Sequence, residues 1–149
     1  MSIPDLITQF SRTPQVLVAG DVVSEHVNPL PSDKARQVFI HSDNMIRITV
    51  AVIPTGMATG LRVEFRVDTE AGLASGNELV LGDSGILLPG QLTLNSVHEF
   101  RIKPMALPEG YDFQGLFYNF LNEAAGGGFA LYADMVAGAE KLDPVTAAP

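Results

Sequence analysis

Ser84 is the residue in the most nucleophile-like setting of this chain. It lies in Gly82-Asp83-Ser84-Gly85, a local sequence seen around hydrolytic serines that act in acyl transfer. Such a serine needs a histidine base within hydrogen-bond reach and a third group to orient that base. Ile86-Leu87 follow it here, and no upstream histidine stands in a recognisable context, so a tight turn is the better reading of the four residues. His26, His41 and His98 fall on separate predicted strands with no i, i+2 or i, i+4 partner. Metal ligation would require the fold to gather them beside a carboxylate such as Glu25 or Glu99. Gly126-Gly127-Gly128 precedes neither a Lys-Ser/Thr pair nor a predicted helix, so it lacks the parts of a phosphate cradle and reads as a loose loop. No Asp/Glu pair stands out for glycoside chemistry. These residues predict no catalytic site, no metal and no cofactor.

Composition narrows the class further. The 149 residues suit a single domain with a real core, and 46% hydrophobic against 17% charged residues argues against general disorder. The apolar runs are all too short to span a membrane, and no secretory leader is evident. Cysteine is absent, which removes disulfides, thiol nucleophiles and thiolate–metal sites together. A net charge of -8 and a pI near 4.6 argue against a surface that neutralises phosphates, so no nucleic-acid partner is expected. The acidic balance also keeps an apolar protein soluble.

The elements come next. Residues 113–136 contain two aromatic-rich runs around the triple glycine, read as an antiparallel pair joined by a loose turn. Side chains alternate along a strand, so Leu116, Tyr118 and Phe120 face one way and Phe117, Asn119 and Leu121 the other. Both faces are mostly apolar. A second surface is therefore expected to cover the outer one, from this chain or from another protein. Leu61, Val63, Phe65 and Val67 alternate strictly with Arg62, Glu64, Arg66 and Asp68, which predicts a half-exposed antiparallel strand with a solvated charged face. Further strands are predicted over residues 16–19, 22–27, 37–41 and 45–53, two fragments over 78–88, and a less regular one within 91–103. Gly, Pro and Asn punctuate them at intervals of about ten residues, the spacing of an all-β antiparallel sandwich or barrel. Residues 1–14 read as an N-terminal arm carrying Ile3, Leu6, Ile7 and Phe10, with Pro14 stopping any helix. Residues 15–138 read as the β-sandwich domain, and residues 139–149 as a loose tail.

In order and pattern the chain resembles the capsid cement, or decoration, proteins of tailed bacteriophages. The likeness rests on Asp5 to Phe10-Ser11 leading into Gln15-Val16-Leu17, a Val/Ser-rich strand ending at His26-Val27-Asn28, and the amphipathic strand followed by Leu79-Val80-Leu81-Gly82. It continues with Phe113-Gln114-Gly115-Leu116-Phe117-Tyr118, a Gly-rich turn and a last strand. It spans most of the chain. The resemblance implies a jelly-roll-like fold without enzymatic activity, made in the host cytoplasm and carried on the outer capsid surface of the virion. Its implied partners are an HK97-type major capsid protein and further copies of itself, as a dimer or larger homo-oligomer. The predicted contact residues are Ile3, Leu6, Ile7 and Phe10 in the arm and Phe117 and Leu121 on the outer face of the aromatic strand. Two rival readings are a carbohydrate- or receptor-binding β-sandwich of a phage particle and a small hydrolase built on Ser84.

Overall fold

A computed structural model describes residues 9–17, 21–29, 44–55, 60–103, 107–120 and 129–137. They form strands β1 (Gln9–Val16), β2 (Val22–Val23), β3 (Asn28–Pro29), β4 (Asn44–Val52), β5 (Leu61–Asp68), β6 (Leu79–Leu87), β7 (Val97–Arg101), β8 (Phe113–Asn119) and β9 (Ala130–Ala137), with a 3-10 turn at Pro89–Gln91. One sheet runs β1-β9-β4-β7. The other runs β2-β8-β5-β6, with β3 also pairing with β8. Every pairing is antiparallel, and the two sheets pack face to face as an all-β sandwich.

Period-two alternation sets the core. Leu61, Val63, Phe65 and Val67 of β5 are wholly buried, as are Ile46, Ile48 and Val50 of β4 and Leu116 and Tyr118 of β8. Phe10 meets Phe65 edge-on across the sheets, with ring centroids 5.9 Å apart, a favoured aromatic geometry. Phe120 and Phe129 pack similarly at 6.4 Å.

Tertiary pairing overturns several expectations. The two aromatic runs are not a hairpin: β8 pairs with β5, β2 and β3, while β9 pairs with β1 and β4 in the opposite sheet. The arm boundary also moves, because residues 9–14 belong to β1. That strand passes Pro14 in an irregular register, where Ser11 opposite Ala133 is followed by Gln15 opposite Leu131, so the missing proline N–H costs no ladder bond. Phe10 is accordingly core rather than an exposed contact residue. The two fragments predicted around Ser84 form one bulged strand, β6. Ile3, Leu6, Ile7, Leu121, His41, the triple glycine, the predicted strand at 37–41 and the tail all lie outside the described residues.

Candidate functional site

Ser84 sits in a bulge opposite β5, where the pairing steps from Arg62–Ile86 to Glu64–Asp83. Its hydroxyl accepts the Val63 N–H at 3.0 Å and donates to the Gly85 carbonyl at 2.8 Å. Asp83 accepts the Gly85 N–H at 2.7 Å, and Gly85 takes φ 67°, a backbone conformation that suits glycine. The serine thus replaces a ladder bond that the bulge removes. His26, in the turn between β2 and β3, lies 3.6 Å from the carboxylate of Glu25. His98 contacts the Ser96 hydroxyl through Nε2 at 3.0 Å, on β7 at the other side of the sandwich. Among the described residues no three His, Asp or Glu side chains gather as a metal site would require.

The outer face of the β2-β8-β5-β6 sheet is covered by the chain itself over β8 and β5, while Val80 and Ile86 of β6 stay exposed. Residues 69–77 fold back as a strap. Its Leu73 is fully buried at φ 55°, and its Cδ1 lies 2.9 Å from where a Gly115 Cβ would stand. A side chain at 115 would press on that Leu73 methyl, so the glycine lets the strap seat closely. Asp68, at the end of β5, anchors it by accepting from the Thr69 N–H at 2.6 Å, the Ser75 N–H at 3.0 Å and both hydroxyls. Burial raises the Asp68 pKa, but these donors outweigh it and hold the carboxyl below its ordinary value. Arg66 completes the clamp: it donates to the Leu73 carbonyl at 2.8 Å and to Glu64 at 2.6 Å, and its guanidinium lies 3.7 Å from the centre of the Phe117 ring. Phe117 retains 7% exposure. The charged face of β5 is therefore not a solvated one. Phe117, predicted as a contact residue, is a packing residue beneath Arg66.

A second polar cluster ties the edges of the two sheets. Ser11 donates to Gln15 Oε1 at 2.6 Å, which leaves the buried Tyr118 hydroxyl to donate to Ser11 at 3.0 Å. Gln15 donates to the Val23 carbonyl at 2.9 Å and accepts the Glu25 N–H at 2.7 Å. Burial, with a smaller contribution from the Glu25 charge, pushes the Tyr118 phenol well above its ordinary value. The sequence held a partial signal for Asp68, an Asp-Thr pair closing an alternating strand before a Gly/Ser-rich segment. It held none for the Ser11–Gln15–Tyr118 cluster, because Tyr118 lies more than a hundred residues from the other two.

The outer face of the β1-β9-β4-β7 sheet is different. Pairing places Tyr132, Thr49 and Val97 in one row and Asp134, Arg47 and Glu99 in the next. Arg47 meets Glu99 at 3.1 Å. Burial raises the Asp134 pKa, while Arg47 opposes that rise and Glu99 adds to it. Val16, Val52, Val97 and Tyr132 all point outward on this face at 42–57% exposure, and Ile53 and Leu94 flank the same end. Val80, Ile86 and Leu88 are the other large hydrophobic side chains left exposed among the described residues. Among those residues no helix is long and apolar enough to cross a membrane. Compared with models of known protein families and with curated proteins, the chain matches none.

Proposed function

We propose that this protein is a structural component of a phage virion, a jelly-roll-like cement protein that binds the outside of the capsid and links neighbouring HK97-type major capsid protein subunits. One observation carries the reading beside the resemblance. The polar side chains with chemical potential, Ser84, Asp68, Ser11, Gln15 and Tyr118, are each engaged in bonds that hold the fold. The outstanding surface property is apolar: of the nine large exposed hydrophobic side chains of the described residues, Val16, Val52, Val97 and Tyr132 share one sheet face, and Ile53 and Leu94 lie in the segments that follow β4 and precede β7. Such a surface adheres rather than reacts. Repetition over many equivalent sites lets modest contacts restrain a shell against internal pressure, because bridging copies gain from effective concentration. The test is co-sedimentation of the purified full chain with empty HK97-type shells. Saturable binding at a fixed ratio to shell subunits is the expected result. Pelleting no greater than that of an unrelated acidic protein would refute the function.

A carbohydrate-binding reading draws on Tyr132, an exposed ring one row from Asp134, Arg47 and Glu99. Aromatic stacking beside charged hydrogen-bonding groups suits a sugar ring. A glycan array separates the two readings: sugar-specific signal lost in Tyr132→Ala favours the second, and none leaves the cement reading alone.

A further inference from the structure

We infer that residues 69–77 form a hinged cover that opens as a unit while the sandwich stays folded, and that the Asp68 carboxylate is the catch that holds it shut. This device is independent of the cement reading, because it concerns which part of the fold moves and not what the protein binds.

The strap can swing out without loss to either sheet. It joins two neighbouring strands of one sheet, and the pair Val67–Leu79 closes its base. Residues 69–77 belong to no strand, so opening breaks no ladder bond. Leu73 is the strap's one buried side chain, and the other residues are exposed apart from half-buried Ser75. A segment with so little buried apolar surface and so much exposed backbone lies at the low-stability end of a fold.

Closure also holds backbone strain. Leu73 sits at φ 55°, in the left-handed region that residues with a side chain avoid. Opening lets it relax, so the closed state needs bonds that offset the strain.

Those bonds converge on one group. Asp68 is fully buried. Its Oδ1 accepts from the Thr69 N–H and from the Thr69 and Ser75 hydroxyls, and its Oδ2 accepts from the Ser75 N–H. Thr69 and Ser75 lie near opposite ends of the strap, so a single carboxylate pins both. Bonds to an ionised acceptor are about twice as strong as neutral ones. The other ties are single: Arg66 to the Leu73 carbonyl at 2.8 Å, the Tyr111 hydroxyl to the Asn77 carbonyl at 2.8 Å, and the Gly76 N–H to Glu78 at 2.7 Å.

Opening would change what β8 presents. Leu73 now fills the space above Gly115, where an added Cβ would also meet Ser24 Oγ at 3.2 Å and Val27 Cγ2 at 3.3 Å. Its departure leaves a slot floored by Gly115 and walled by Ser24 and Val27, and it removes one of the bonds that hold Arg66 over the Phe117 ring. The strap thus sets whether this stretch of the sheet is sealed or bare.

Native-state amide exchange, followed by NMR on the full chain at neutral pH over a series of low urea concentrations, tests the device. The reporter is the Leu73 N–H, which bonds to the Glu70 carbonyl at 3.2 Å within the strap and not to Asp68. In the parent it is expected to be protected, but about tenfold or more less than the ladder amides of β5 and β8, with almost no urea dependence. The ladder amides are expected to show the steep urea slope of global unfolding. In Asp68→Asn the side chain offers one acceptor oxygen and turns its own donors toward those of Thr69 and Ser75. Leu73 exchange is then expected to quicken about tenfold or more, still with a flat urea slope and with the ladder amides remaining the better protected set. A Leu73 amide that shares the protection and urea slope of the ladder amides in the parent overturns the hinged cover. One with no protection in the parent, or with exchange unchanged in Asp68→Asn, overturns the catch. Should Asp68→Asn fail to fold, Ser75→Ala takes its place, and losing one hydroxyl donor is expected to speed Leu73 exchange about threefold or more.

Discussion

Replacing Phe117 tests whether the covered face is packed as described. Its ring retains 7% exposure, lies outside the continuous core cluster, and has the Arg66 guanidinium 3.7 Å from its centre. Large-to-small changes at buried phenylalanines cost about 3–5 kcal/mol. The lower end applies here because the site is covered by a loop, which can settle, and not by a second sheet. Phe117→Ala is therefore expected to destabilise the isolated protein by about 3 kcal/mol, a fall of roughly 6–12 °C in Tm for a chain of this size. The Arg66 contact has its own signature. In a double-mutant cycle with Phe117→Leu and Arg66→Met, the coupling is expected near 1 kcal/mol, since the guanidinium is largely desolvated but still also bonded to Glu64 and Leu73. Urea denaturation followed by tyrosine fluorescence and circular dichroism reads both quantities. A Phe117→Ala protein within about 0.5 kcal/mol of the parent would place the ring on the surface and refute the packing argument. A coupling indistinguishable from zero would refute the stacking alone.

Gly82→Ala should destabilise by about 1–3 kcal/mol, because its Cβ would meet the Arg101 backbone carbonyl at 2.5 Å and neither strand can yield freely; thermal unfolding checks it. Asp68 has a folded pKa below its ordinary 3.8, so folding favours its charged form. That contribution is present above pH 3.8 and is lost as pH falls through the folded value. An acid series of urea midpoints should show this limb in the parent and not in Asp68→Asn. Tyr118 has the reverse relation: its folded pKa lies above 10.0, so stability is full below pH 10.0 and declines as pH rises beyond it. Tyr118→Phe should flatten the alkaline decline. Ser84→Ala should cost about 1 kcal/mol through the unpaired Val63 N–H, and labelling by a serine-directed reagent that disappears in this variant would revive the hydrolase reading.

Local order was legible in the sequence wherever one physical rule acted over a few residues. The strand Leu61–Asp68 and the inward set Leu61, Val63, Phe65 and Val67 follow from strict alternation, and the structure has the same bounds and the same buried side. Alternation also showed that the strand at 113–120 is apolar on both sides and needs two covers. It could not say what covers them. Periodicity carries no information about which distant segment pairs with which, so the triple glycine suggested a hairpin, whereas the strands before and after it, β8 and β9, belong to different sheets. The same limit hid which apolar side chains stay exposed. Phe10 and Phe117 read as contact residues by hydrophobicity, yet folding buries one against Phe65 and the other beneath Arg66. Val97 and Tyr132 come to flank Thr49 on one sheet face only because β7 and β9 both pair with β4. Strand identity is a short-range property that the amino-acid pattern determines. Pairing, coverage and exposure depend on long-range contacts, and those exist only once the two sheets have closed on each other.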